Sequence, residues 1–106
     1  MLFRSLDGAP ASIDALPAIA DAVGKNIEVW MDGGIRSGQD VLKARALGAR
    51  GTMIGRSFLY GLGAYGQEGV TRALQLIHKE LDITMAFCGR TNIDEVDSSI
   101  LLPGTF

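Results

Sequence analysis

Two short segments of this chain contain residues that together could bind an anion. Segment 30–38 reads Trp-Met-Asp-Gly-Gly-Ile-Arg-Ser-Gly, and segment 53–57 reads Met-Ile-Gly-Arg-Ser. In each, an apolar run stops at glycine and an arginine follows, at Arg36 and at Arg56. Glycine lets backbone N–H groups approach a ligand closely, and arginine adds a fixed positive charge. A phosphate group is the ligand that this combination suits.

Two successive strand-and-helix units are predicted to position these segments. Residues 27–31 and 50–54 form short β-rich runs. Between them, Ser37 with Asp40 predicts a capping box that begins a helix, and Gly48 predicts its end. A strand, a helix and a strand with short loops form a parallel pair with a right-handed crossover. Because ligands bind such sheets at the carboxyl ends of the strands, both segments are expected to form one site.

Helices are predicted on either side of this unit. Ser12 is a candidate N-cap for a helix that ends at Gly24, with Pro17 either in its first turn or at a kink. After the second segment, residues 57–65 predict a short helix, and a longer helix follows from residue 67. An apolar stripe of that longer helix comprises Val70, Leu74, Ile77 and Leu81.

The remaining polar residues give little sign of other chemistry. Thr91 with Asp94 predicts a cap for a short helix that carries Val96. The only histidine, His78, lies off the apolar stripe, where a solvated helix face is favoured over a catalytic base. No histidine and cysteine cluster has the spacing of metal ligands, so no metal site is expected.

Composition favours a soluble globular piece. Hydrophobic residues make up 47% of the chain and charged residues 21%, with a formal net charge of −2. An acidic balance without a basic block argues against nucleic acid as a partner. Cys88 is the only cysteine, so no internal disulfide is possible, which favours a reducing, cytoplasmic location. Its side chain is predicted to be a small buried hydrophobe. No apolar run is long enough to span a membrane.

The residues alone leave two readings of the first segment open. Gly33 and Gly34 could simply form a tight turn from strand to helix, although Gly55 and Arg56 at the neighbouring strand end favour phosphate. Asp32 would repel phosphate, so hydroxyl groups of a sugar or ribityl chain suit it better. Its alternative role is to cap the turn through its own side chain.

A wider set of motifs resembles the FMN-dependent α-hydroxy-acid oxidases and dehydrogenases, the family of L-lactate dehydrogenase and glycolate oxidase. The motifs are Leu6-Asp7-Gly8-Ala9-Pro10, segments 32–41, 46–49 and 55–61, Tyr65-Gly66 and Glu68-Gly69-Val70. The resemblance extends over essentially everything after residue 5. Asp-Gly-Gly-Ile-Arg alone occurs in several phosphate-binding barrels, whereas the combination is specific.

The resemblance implies an α/β fold, the C-terminal part of a TIM (β/α)8 barrel with its last two βα units and the C-terminal helices. A barrel of this kind takes roughly 250 residues, and this chain has 106. The implied cofactor is FMN, with Asp32 at the ribityl hydroxyls. The resemblance also implies that FMN contacts the backbone of Gly33, Gly34 and Ile35. Its phosphate would be held by Arg36, Gly55 and Arg56.

The family pattern is interrupted at the start of the chain. A His-Gly-Gly-Arg-Gln segment, which supplies the catalytic base and the substrate-binding arginine, precedes Leu-Asp-Gly-Ala-Pro in the family. Here Met1 stands at the position of the histidine, and only Arg4 coincides. We therefore expect residues 1–5 to be a non-native leader, residues 6–106 to be the C-terminal part of the dehydrogenase domain, and the chain alone to lack a catalytic residue.

The parent protein is expected to oxidise an L-2-hydroxy acid such as L-lactate, as a homo-oligomer that is cytoplasmic or peripheral to a membrane. Three alternatives remain open. One is another FMN or phosphate barrel, of the type 2 isopentenyl-diphosphate isomerase or inosine-monophosphate dehydrogenase class, against which segment 58–70 argues. The others are a non-catalytic phosphate-binding module and a truncated reading frame without function.

Overall fold

A computed structural model describes residues 6–104 of the chain. The leader predicted at residues 1–5 lies outside the described residues. The elements, in chain order, are α1 (Ser12–Val23), β1 (Trp30–Asp32), α2 (Gly38–Ala46), β2 (Gly51–Met53), α3 (Arg56–Phe87) and two short 3-10 helices, η1 (Ile93–Glu95) and η2 (Ser98–Ile100). Within this range, no helix is long and apolar enough to cross a membrane.

The sheet has two parallel strands, as the sequence predicts, although both are shorter than expected. Trp30 lies opposite Gly51, and Asp32 lies opposite Met53. The Arg50 amide also donates to the Val29 carbonyl at 2.7 Å, which extends the pairing by one step. A Cβ on Gly51 would lie 2.6 Å from the ring of Trp30, so this glycine allows the indole to lie over the neighbouring strand.

Helix α2 lies between two apolar clusters and contributes to both. The first cluster joins it to α1 and β1, and the second joins it to α3 and the C-terminal segment. The buried members of the first are Leu16, Met31, Ile35, Ala44 and Ala49, and those of the second are Leu42, Ala46 and Val96. Because α2 packs on both sides, its position fixes the loop that connects it to β1.

Helix α1 begins one residue earlier than its predicted cap requires. Ala11 is the N-cap and offers no side-chain hydrogen bond, so the prediction of Ser12 as N-cap is wrong. Ser12 is instead the first helical residue, and its hydroxyl donates to the Asp32 carbonyl at 2.7 Å. The C-cap is Gly24 as predicted, and Pro17 lies inside the helix, beyond its first turn.

Helix α3 is broken into two parts, here called α3a (residues 56–64) and α3b (residues 67–87). Tyr65 and Gly66 between them have non-helical dihedral angles, with φ of +60° at Gly66, which confirms the predicted division. The two parts touch closely, since a Cβ on Gly69 would lie 1.8 Å from the Gly61 carbonyl oxygen. The predicted stripe holds only in part, because Leu74 is 52% exposed.

The C-terminal segment, which contains η1 and η2, packs against α2 through apolar side chains, and side-chain caps begin both of its short helices. Asn92 caps η1 by accepting from the Asp94 amide, so the prediction of Thr91 as its cap is wrong. Val96 follows η1 rather than lying in it, and it is buried in the second cluster. The hydroxyl and amide of Ser99 donate to the Asp97 carboxylate, and these hydrogen bonds lower the pKa of Asp97 below its ordinary value.

Candidate anion-binding site

The two glycine and arginine segments leave the sheet at the same edge, the one formed by the carboxyl ends of β1 and β2. Asp32 and Met53 are paired and end their strands, so the loops that follow them begin side by side. The Ser57 hydroxyl donates to the Ile35 carbonyl at 3.2 Å, which joins one loop to the other. The structure therefore brings together the two segments that the sequence separates by about twenty residues.

The first loop turns sharply at its two glycines. Gly33 and Gly34 have φ of +98° and +79°, a region that other residues rarely adopt. The Gly33 amide donates to Oδ1 of Asp32 at 2.8 Å, so the Asp32 side chain caps the turn. A carboxylate has a second oxygen, and Oδ2 of Asp32 has no donor within residues 6–104. Asp32 can therefore stabilise the turn and still accept a hydrogen bond from a ligand.

The next two residues of this loop present unused amides on a fixed backbone. Within the described range, the Gly34 and Ile35 amides donate to no protein acceptor. The Ile35 side chain is 4% exposed and belongs to the first apolar cluster. Because the buried Ile35 side chain anchors the loop, the backbone amides of the loop are positioned without a ligand.

The amino end of α2 is already occupied by protein acceptors. Ser37 and Asp40 form the predicted capping box, with the Asp40 amide donating to Oγ of Ser37 at 3.3 Å. Oδ2 of Asp40 also accepts from the Arg36 amide at 2.9 Å. The Gly38 amide donates to Oε2 of Glu80 at 3.0 Å. Two carboxylates therefore lie at this helix end, which makes it a poor seat for an anion.

The amino end of α3a has the opposite character. Gly55 is its N-cap, no side chain of residues 6–104 caps it, and no acidic residue lies in its first turn. A Cβ on Gly55 would meet no atom of the described residues within 4 Å, so among them the space above this glycine is open. The first amides of a helix have no partner within the helix, and its dipole favours a negative charge there. This end can accept an anion that α2 would repel.

Each segment supplies one arginine near this helix end: Arg56 is the first residue of α3a, and Arg36 follows Ile35, whose carbonyl accepts from Ser57. Arg36 and Arg56 are exposed, and in the described part of the chain neither forms an ion pair. The ion pairs there instead join Arg45 and Arg50 to acidic partners at the other end of the sheet. Both guanidinium groups are therefore available for a ligand.

Three side chains that hold the site were not identified as site residues from the sequence. Ser12, Ser57 and Glu80 hold the first loop at its start, its middle and its end, respectively. Their partners are 20, 22 and 42 residues away in the chain. Ser12 and Glu80 lie on other helices, so no local spacing pattern could have identified them.

Other candidate groups lie away from this edge. His78 is exposed on α3b, and Cys88 is half-buried against the second cluster. Among residues 6–104, no group of three or more histidine, cysteine or acidic residues could hold a metal ion. An open depression of about 330 Å³ lies near the amino ends of the strands and includes Glu28, Arg45 and Arg50. Sheets of this kind bind ligands at the opposite end.

Comparisons with known proteins agree on one family. The family model described as FMN-dependent dehydrogenase matches residues 4–103. The chain is 52% identical to the pre-mycofactocin synthase of Mycolicibacterium smegmatis over 97% of its length, and 51% identical to the L-lactate dehydrogenase of Caulobacter vibrioides over 92%. It is also similar to a solved flavocytochrome b2 variant with pyruvate bound, with a TM-score of 0.84 and 37% identity over 90% of this chain.

The match covers only part of each relative. The chain spans about a quarter of the length of the curated relatives, 26% in both cases, and 25% of the solved flavocytochrome chain. The described part is thus a mixed α/β unit with parallel strands that corresponds to about a quarter of an FMN-dependent dehydrogenase barrel.

Proposed function

Since this chain belongs to the FMN-dependent dehydrogenase family, we propose that it forms the C-terminal, FMN-phosphate-binding part of an FMN-dependent oxidoreductase. In this proposal, Arg36, Gly55 and Arg56 hold the phosphate. The backbones of Gly33, Gly34 and Ile35 contact the cofactor, and Asp32 accepts hydrogen bonds from its ribityl hydroxyls.

One observation carries this proposal, the contrast between the two neighbouring helix ends. The α2 end is filled by Ser37, Asp40 and Glu80, whereas the α3a end has no acid in its first turn and no side-chain cap from the residues that the structure describes. A dianionic phosphate needs several N–H donors and positive charge to offset its desolvation. The α3a end, the Gly34 and Ile35 amides and the two arginines provide that donor set.

The same proposal extends to the reaction of the complete protein. Bound FMN would supply the acceptor for the hydride equivalent that leaves the α-carbon of an L-2-hydroxy acid, such as L-lactate. A base must remove the hydroxyl proton, and His78, the only histidine, is exposed on α3b. We therefore expect the base to come from another part of the barrel and the chain alone to be inactive. A cytoplasmic homo-oligomer is the expected parent.

A second candidate function follows from the comparisons. Identity to the pre-mycofactocin synthase is 52%, against 51% to the L-lactate dehydrogenase. This quarter of the barrel therefore does not distinguish the two activities. The second candidate is that the complete protein acts as a pre-mycofactocin synthase on the same FMN scaffold.

A chimeric barrel tests the proposed cofactor role directly. Residues 6–104 would replace the matching segment of the Caulobacter vibrioides L-lactate dehydrogenase, to which 98 residues align. We expect the purified chimera to retain FMN through gel filtration and to oxidise L-lactate. The isolated chain with added FMN serves as the inactive control. A folded chimera without flavin would contradict the proposal.

Replacing Arg56 by alanine in this chimera should weaken FMN binding by about 1.5 to 3 kcal/mol, because a charge-assisted hydrogen bond to a desolvated phosphate is lost. Flavin fluorescence during titration would measure the dissociation constant. Arg72→Ala is the matched control, since Arg72 is also exposed on α3 but lies on α3b. An unchanged dissociation constant in the Arg56 variant would remove this residue from the site.

A further inference from the structure

The contact between α2 and α3b points to a residue that positions the phosphate site without touching the ligand. We propose that Glu80 is a positioning residue. Its carboxylate fixes the amino end of α2 and thereby keeps the Gly34 and Ile35 amides beside the open end of α3a, where both can donate to the same phosphate. This inference rests on the proposed function of those amides in binding the FMN phosphate.

Glu80 contacts the start of α2 from α3b, a helix that is distant in the sequence but adjacent in the fold. Its Oε2 accepts from the Gly38 amide at 3.0 Å, in a partly buried contact. Gly38 itself is buried, and a Cβ there would lie 2.0 Å from the Leu81 amide nitrogen and 2.5 Å from the Glu80 carbonyl carbon. The two backbones therefore lie in direct contact, and the carboxylate lies where it can close this junction.

The first residues of α2 form one hydrogen-bonded unit with the end of the loop. Asp40 accepts from both the Arg36 and the Ser37 amides, at 2.9 and 3.1 Å. Gly38 lies inside this unit, so the hydrogen bond to Glu80 ties the whole unit to α3b. The loop thus ends at a clamp formed by side chains of two different helices.

The other end of the loop is clamped as well. Ser12 donates to the Asp32 carbonyl at 2.7 Å and holds the point where β1 ends. Only Gly33, Gly34 and Ile35 lie between this contact and the Arg36 amide. With both ends held, the two unused amides have little freedom to move. Release of the Glu80 end would let them drift from the phosphate position.

A mere surface contact would not have this consequence. Apart from this contact Glu80 is exposed, and exposed charges on a helix surface contribute little to stability. Glu80 differs from such a charge because its oxygen accepts a hydrogen bond from the Gly38 amide, which lies at the start of α2 and has no partner within that helix. The role therefore depends on the oxygen and its reach rather than on the charge alone.

Four variants of the chimeric barrel separate these possibilities. Glu80→Ala removes the acceptor, Glu80→Asp keeps the charge but shortens the reach, and Glu80→Gln keeps an acceptor at the same reach. Asp82→Asn is the matched control, an exposed charge two residues further along the same helix. FMN dissociation constants and the phosphorus-31 chemical shift of bound FMN would be measured for each.

We expect Glu80→Ala and Glu80→Asp to raise the FMN dissociation constant about tenfold and to shift the phosphorus resonance. Glu80→Gln should stay within about threefold of the parent chimera with an unshifted resonance, and Asp82→Asn should match the parent. The phosphorus shift reports the surroundings of the phosphate, so a change in stability alone would not move it.

The remaining outcomes also decide the matter. If Glu80→Ala fails to fold, the contrast between Glu80→Gln and Glu80→Asp carries the test. An unshifted resonance and unchanged affinity in Glu80→Asp would overturn the positioning role, as would a Glu80→Gln variant as weak as Glu80→Ala. A parent chimera that folds but binds no FMN would instead contradict the proposed function.

Discussion

Replacing Gly38 by alanine should destabilise the chimeric barrel by about 3 kcal/mol, the upper end of the usual cost of overpacking. The new Cβ would lie 2.0 Å from the Leu81 amide nitrogen and 2.7 Å from Cβ of Glu80. Because the closest of these atoms belongs to backbone, a side-chain rotation cannot relieve the clash. Helix α2 must move away from α3b, and the hydrogen bond to Glu80 breaks with it.

The loss should appear in stability and in cofactor binding together. Urea unfolding followed by circular dichroism would report the first, and flavin fluorescence the second. Gly63→Ala is the matched control, since a Cβ on Gly63 meets nothing within 4 Å. Gly63 lies inside α3a, where alanine is favoured over glycine by up to about 1 kcal/mol. A Gly38 variant as stable as this control would show that α2 and α3b are not in tight contact.

The isolated 106-residue chain should lack a cooperative thermal transition, although it should be helical by far-UV circular dichroism. Its described sheet has two strands of three residues each. Parallel sheets are normally covered on both faces, and a two-stranded sheet leaves an unpaired edge on each side. Trp30 and Met53 are 55% and 49% exposed, which leaves apolar surface where further barrel strands would pack.

We therefore expect this arrangement of elements to need neighbouring strands in order to persist. We expect the isolated chain to bind the dye ANS and to self-associate, whereas the chimera should unfold in a single sharp transition without binding the dye. Differential scanning calorimetry and sedimentation would make the comparison. A monomeric chain with a sharp calorimetric peak would show that these two βα units form an autonomous domain.

The sequence by itself determined the features that depend on near neighbours. The capping box of Ser37 and Asp40 closes over three residues, and the break at Tyr65 and Gly66 follows from a glycine in the left-handed region. Hydrogen bonds of this range are formed by residue types at fixed spacing, so a pattern can predict them. The two glycine and arginine segments could likewise be placed at one sheet edge, because parallel strands share their direction.

Only the tertiary structure decided which side chains hold the site and which helix end is open. Ser12 was predicted to cap α1 but instead donates to Asp32 in the neighbouring strand, and Glu80 reaches Gly38 across 42 residues. Leu74 fits the apolar stripe by spacing, yet it is 52% exposed, because periodicity predicts a face and not its partner. These outcomes depend on how whole helices pack against each other, and packing brings together residues that no local pattern relates.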